Sequence, residues 1–151
     1  MTADNLAELP TSDLLQRTVA LARSEPVLQS DEYWTHVRAL RFRSGKEVFD
    51  EAVGLCSHSD ALSRAAGADI LAQLGVRDGV FPFADESEGP LLGLLDDTEP
   101  RVIASALYAL GHLGRGDPAQ LAPFSRHPSE DVRQPLRLLW AAAQTPLPRQ
   151  L

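Results

Sequence analysis

Arg101, Ser105, Tyr108 and His112 recur at i, i+4, i+7 and i+11, so on a helix they share one face. Val102, Ala106, Ala109, Leu110 and Leu113 occupy the other sides of the same stretch. A guanidinium, two hydroxyls and an imidazole in a row suit hydrogen bonding to a peptide or protein surface. Arg38, Arg41, Arg43 and Lys46 form a second candidate, a basic patch with Trp34 and His36 close by. It offers cations to an acidic partner, to a nucleic-acid backbone, or to salt bridges with nearby acids such as Asp31, Glu32, Glu47, Asp50 and Glu51.

Recognisable catalytic or metal sets are missing from the sequence. His36, His58, His112 and His127 are scattered, and Cys56 with His58 makes one pair without a second, so no metal site is expected. Gly75-Val-Arg-Asp-Gly79 is read as a connection, since no Lys-Ser/Thr follows it to complete a phosphate loop. Cys56 lies in an apolar stretch and reads as a small core residue. No cofactor and no enzymatic activity are expected.

The elements that must position these residues are written in a repeat. Asp60–Gly75 (DALSRAAGADILAQLG) aligns with Glu99–Gly114 (EPRVIASALYALGHLG) at a shift of 39, matching Leu71 to Leu110, Leu74 to Leu113 and Gly75 to Gly114. Ser129–Ala143 aligns with the second copy at a shift of 30, matching Val132 to Val102. Helical units that recur at this spacing stack, because one unit cannot bury its apolar face alone. The shift of 39 also maps the polar stripe onto Leu62, Ala66, Asp69 and Gln73, and the shift of 30 places Asp131 opposite Arg101.

Caps, stops and apolar spacing predict eight helices in about four antiparallel pairs. The first runs from a Thr11 or Ser12 cap to about Arg23, broken by 24–30 with Pro26. The second runs from a Ser30 or Asp31 cap to about Arg43, ended by Ser44-Gly45. Glu47–Ser57, Asp60–Leu74, Glu88–Asp96 and Glu99–Leu113 follow, with Pro90 in the first turn of the fifth. Asp117 caps a short seventh helix, and Ser129 caps an eighth to about Ala143, with Pro135 inside it. The segment Phe81-Pro82-Phe83 in the longest connection is expected to fold its rings back over the core. Residues 144–151 form a tail, and Leu138, Leu139 and Trp140 allow packing inside the chain or across a homodimer.

The chain has 151 residues, 44% of them hydrophobic and only 6% aromatic, which suits one helical domain. No apolar run reaches the roughly 20 residues of a membrane span. The acidic start carries no apolar signal segment, and one cysteine suits a reducing compartment, so a cytoplasmic location is expected. A net charge of −7 opposes nucleic-acid binding, which needs cations to replace phosphate counterions.

The chain resembles the HEAT repeats, most nearly the short bacterial kind grouped with phycobilin-lyase HEAT-like repeats. The resemblance rests on His127-Pro128-Ser129-Glu130-Asp131-Val132-Arg133, on Glu99-Pro100-Arg101-Val102 with Ala109–Gly114, and on Ser59-Asp60, Arg64 and Leu71–Gly75. It covers about 47–143, and it departs where Ile103 stands in place of the usual arginine. It implies an all-α, right-handed α-α superhelix, with 1–45 as divergent cap helices and 46–143 as repeat units. It further implies a non-catalytic scaffold whose second helices line a concave ledge of Asp69, Gln73, Arg101, Ser105, Tyr108 and His112 for a protein or peptide. The alternative it implies is a DNA-base-acting or bilin-lyase-like enzyme, for which Trp34 and Trp140 are available.

Overall fold

The computed structural model describes residues 3–24, 31–43, 45–75 and 80–144, with side chains of the last helix described as far as Arg137. The fold is all-α. A short α1 (Ala3–Ala7) precedes α2 (Thr11–Ala22), α3 (Asp31–Arg41), α4 (Lys46–Cys56), α5 (Ala61–Gln73), α6 (Ala84–Leu94), α7 (Pro100–Leu113), α8 (Pro118–Leu121) and α9 (Glu130–Gln144). A 3₁₀ turn, Ala122–Arg126, extends α8. The helices α3, α5, α7 and α9 follow one another side by side, each packed on the next, while α4 and α6 form a second row against them.

Burial follows from the repeat. Leu71, Leu74, Leu110 and Leu113 are all buried, as are Ala106 and Val132. Gly67 sets the spacing of α4 and α5: a Cβ there would lie 2.7 Å from the Ala52 carbonyl oxygen. Gly75 and Gly114 end α5 and α7 with φ of 69° and 68°, the left-handed conformation expected past a helix terminus.

The three unit junctions use one local device. In each, a side chain accepts the backbone N–H two residues ahead: His58 from Asp60 (2.9 Å), Asp97 from Glu99 (3.0 Å), His127 from Ser129 (3.0 Å). These positions are separated by the same 39 and 30 residues as the repeat. Arg64 then donates to the carbonyls of His58 and Ser59, and Arg133 to those of His127 and Pro128. Ile103 occupies the corresponding middle position and is buried. There Asp97 receives a bidentate pair from Arg64 of the preceding unit, at 2.7 and 3.1 Å. Both histidines thus serve turns.

Several boundaries differ from expectation. The N-cap of α2 is Pro10, not Thr11 or Ser12, and no side chain caps it. Helix α6 begins at Ala84, so Pro90 lies in its second turn rather than its first. Burial of Ala84, Ser87, Leu91 and Leu94 along one face holds that turn, and the carbonyl Pro90 frees belongs to exposed Glu86. Pro135 likewise lies in the second turn of α9. Asp60 and Asp117 cap as expected, accepting from Ser63 and Ala119 N–H. The expectations at Pro26, Ser30, Ser44, Val76–Gly79 and the tail from Thr145 lie outside the described residues, as do the side chains of Leu138, Leu139 and Trp140.

Candidate functional site

One cleft of 450 Å³ is lined by all four helices of the first row. Helix α3 contributes Trp34 and Arg38, α5 contributes Asp69 and Gln73, and α7 contributes Arg101, Ala104, Ser105 and Tyr108. Helix α9 closes it with Asp131, Gln134 and Pro135. The volume is within the usual range for ligand clefts, about 300–1,000 Å³.

Its floor is a polar quartet. Asp69 is 3% exposed and accepts from the Tyr33 hydroxyl at 2.7 Å and from the Arg101 guanidinium at 3.3 Å. Arg101 also donates to Ser105 Oγ at 2.8 Å. Burial pushes the Asp69 carboxyl above the usual carboxylate range, while Arg101 and the hydrogen bonds from Tyr33 and Ser105 pull it back. Burial, with the neighbouring Asp69 charge, also drives the Tyr33 hydroxyl far above the ordinary phenol value. The Asp69 carboxyl and the Arg101 guanidinium thus meet beneath the cleft, while the Arg101 Nε is buried without a partner among the described residues. Removing either one would leave a buried charge unpaired.

The rim is built differently. Arg38 and Asp131 are exposed, on opposite walls, and neither has a hydrogen-bond or ion-pair partner among the described residues. Trp34 stands one helical turn before Arg38, and its ring meets Tyr33 edge-on at 5.1 Å. Tyr108 is 44% exposed, which is unusual for an aromatic in so small a core. Pro135 has no N–H, so the Asp131 carbonyl has no i+4 donor.

Of the six ledge residues expected from the sequence, Asp69, Gln73, Arg101, Ser105 and Tyr108 line this cleft. His112 lies past its lining and stacks on Tyr108 with ring centroids 5.9 Å apart. The Phe81 ring meets His112 edge-on at 5.2 Å, and Phe83 stacks on Phe49 at 4.9 Å, so this segment folds back on the core. Asp69 and Ser105 serve as floor rather than as open ledge, because both are buried.

The basic patch is not one surface. Arg43 reaches Thr11 Oγ1 and the carbonyls of Leu6 and Ala7, tying α1 and α2 to α3. Arg41 lies over the Phe42 ring at 4.6 Å, and Lys46 pairs with Asp50 at 3.8 Å. Of the acids proposed as partners, only Asp50 takes that role for these cations among the described residues. Arg38 alone of the patch joins the cleft. His36 is buried, its Nδ1 lying 2.7 Å from the Glu32 carbonyl.

Besides Arg38 of the basic patch and Asp131 in register with Arg101, the cleft residues that the ledge derived from the sequence did not include are Trp34, Ala104, Gln134 and Pro135. The register would have given one of them, since Ser105 maps onto Pro135 at the shift of 30. Trp34 gave no such signal, because the α3 region matches the repeat only loosely. Cys56 is buried and its thiol is pushed up to about 12 by burial, leaving it without nucleophilic character near neutral pH. No group of three or more His, Cys, Asp or Glu among the described residues is placed to hold a metal ion.

No family model matches the chain. No curated protein matches it in sequence either. A solved structure, that of YibA from Escherichia coli, a structural-genomics target, is similar over 91% of this chain with a TM-score of 0.71 and 20% identity. The chain spans half the length of that structure. The likeness is one of fold. Among the described residues no helix is long and apolar enough to cross a membrane.

Proposed function

We propose that the chain is a non-catalytic, HEAT-like binding scaffold that holds a peptide or a protein segment in the cleft across α3, α5, α7 and α9. The observation that carries this reading is the common lining: the second helix of every pair contributes to one cleft. The floor of Asp69, Arg101, Tyr33 and Ser105 is held by hydrogen bonds before any partner arrives, which lowers the ordering cost of binding. Trp34, Tyr108, Ala104 and Pro135 supply apolar contact, and Gln73 and Gln134 supply both donors and acceptors for a backbone.

Selection from a displayed library of random peptides tests the reading. Peptides retained by the wild type and released by the cleft-filling Ala104→Trp and the truncated Tyr108→Ala support it. No enrichment over background, or binding indifferent to both variants, contradicts it. A catalytic reading has one observation in its favour, since Trp34 and Asp131 face the same cleft and could hold a DNA base. The net charge of −7 opposes it. Failure to retain duplex DNA on a column at low salt would remove it.

A further inference from the structure

The cleft has a direction. In its floor Asp69 is nearly inaccessible and pairs with Arg101. The charges left open are Arg38 on the α3 wall and Asp131 on the α9 wall, with α5 and α7 between them. Both are exposed, and neither is used by the fold among the described residues, unlike Arg23, Arg64, Arg115 and Arg133, which pair with acids. Next to Arg38 stands Trp34, and between the two walls stands Tyr108, so apolar contact lies between a positive and a negative end.

Resting on the peptide-binding reading above, we propose that this cleft selects dipolar peptides and fixes their direction. An acidic side chain docks on Arg38, an apolar one lies on Trp34 and Tyr108, and a basic one docks on Asp131. Parallel neighbouring helices lie about 8–10 Å apart, so crossing three spacings along the layer takes at most about nine extended residues. Side chains reaching inward from both walls shorten that path. The chemistry matches on both ends. Arg38 offers five N–H donors in a fork suited to a carboxylate, and Asp131 offers a carboxylate suited to a cation. The overall charge of −7 does not choose between acidic and basic ends at this range, since screening limits it to roughly 8 Å at physiological salt. The two local charges decide the order.

The test is a charge swap that leaves the net charge unchanged. Random peptides of about 12 residues, long enough to cross the cleft, are selected on the wild type and on Arg38→Asp/Asp131→Arg. Circular dichroism and thermal melting verify that the variant folds, which its exposed positions favour. The wild type is expected to enrich one order of acidic and basic residues around an apolar residue, and the double variant to enrich the reverse order. Single variants Arg38→Gln and Asp131→Asn each weaken the wild-type peptides about tenfold, as loss of one charge-assisted contact does. Peptides that depend on the cleft but show no charge order, or the same order in both proteins, overturn this inference and leave peptide binding intact. Peptides indifferent to Ala104→Trp overturn both.

Discussion

The junction turns and the cleft treat the repeat in opposite ways. At the junctions, equivalent positions carry the same residue or the same role: His58, Asp97 and His127 each accept an N–H two residues on. Arg64 and Arg133 each clamp the two carbonyls that precede their helix. At the positions in register with the cleft residues, side chains diverge at every step. Leu62, Arg101 and Asp131 share one register, Ala66, Ser105 and Pro135 the next, and Asp69 faces Tyr108 in a third. The N–H acceptor recurs in all three turns and the arginine clamp in two of them, with Ile103 in its place in the middle one, whereas recognition of an asymmetric partner demands a different side chain from each unit. The divergence of the cleft is therefore what a binding face built on repeats would be expected to have.

The largest effect should come from the repeated core. Leu71→Ala and Leu110→Ala, both nearly inaccessible, should each cost about 3 kcal/mol and lower Tm by about 10 °C in calorimetry. Unequal losses would break the equivalence of the two units. Next comes Arg64→Ala, which strips the Asp97 carboxylate, only 9% exposed, of its bidentate partner. It should cost about 2 kcal/mol in urea unfolding, and Arg133→Ala less, because the carboxylate it pairs with, Glu130, is exposed.

The two buried carboxylates sharpen the contrast by pH. Burial alone would raise Asp97, but hydrogen bonds from Arg64 and the Glu99 N–H outweigh it and hold the carboxyl below the usual range. Its contribution to stability is therefore complete above the ordinary Asp value and is lost as pH falls through the lowered folded value. Asp69 is raised by its burial, so its term has the opposite sign. That term favours the fold below the ordinary Asp value and fades as pH rises through the raised one. Carboxyl NMR should show Asp97 titrating below, and Asp69 above, the usual Asp range. The reverse order would contradict the assignment of floor and turn.

The smallest effect on folding should come from the cleft rim. Gln134→Ala and Tyr108→Ala, both exposed, should change stability by no more than about 0.5 kcal/mol while weakening peptide binding. A stability loss as large as that of Arg64→Ala would make the rim part of the framework.

The sequence carried the framework well, because Gly114 caps α7 by a local rule and the Leu positions recur at fixed shifts. Helix α1 escaped notice because five residues give too little periodicity to read. The start of α6 was masked by Pro90, whose local cost is overcome by tertiary burial. The polar stripe on α7 was legible from its spacing, but its depth was not. That Asp69 and Ser105 lie under the cleft depends on Tyr33 and Arg101, which approach from segments 36 and 32 residues away. The same limit applied to the basic patch. Four cations close in sequence point to separate places once α3 is packed.

The most direct measurement is an NMR titration of isotope-labelled protein with a peptide selected as above. The account predicts shift changes at the Trp34 indole and at Gln73, Tyr108, Gln134 and Asp131, with His58, Asp97 and His127 unmoved. Changes centred on the junction turns, with the cleft silent, would contradict it.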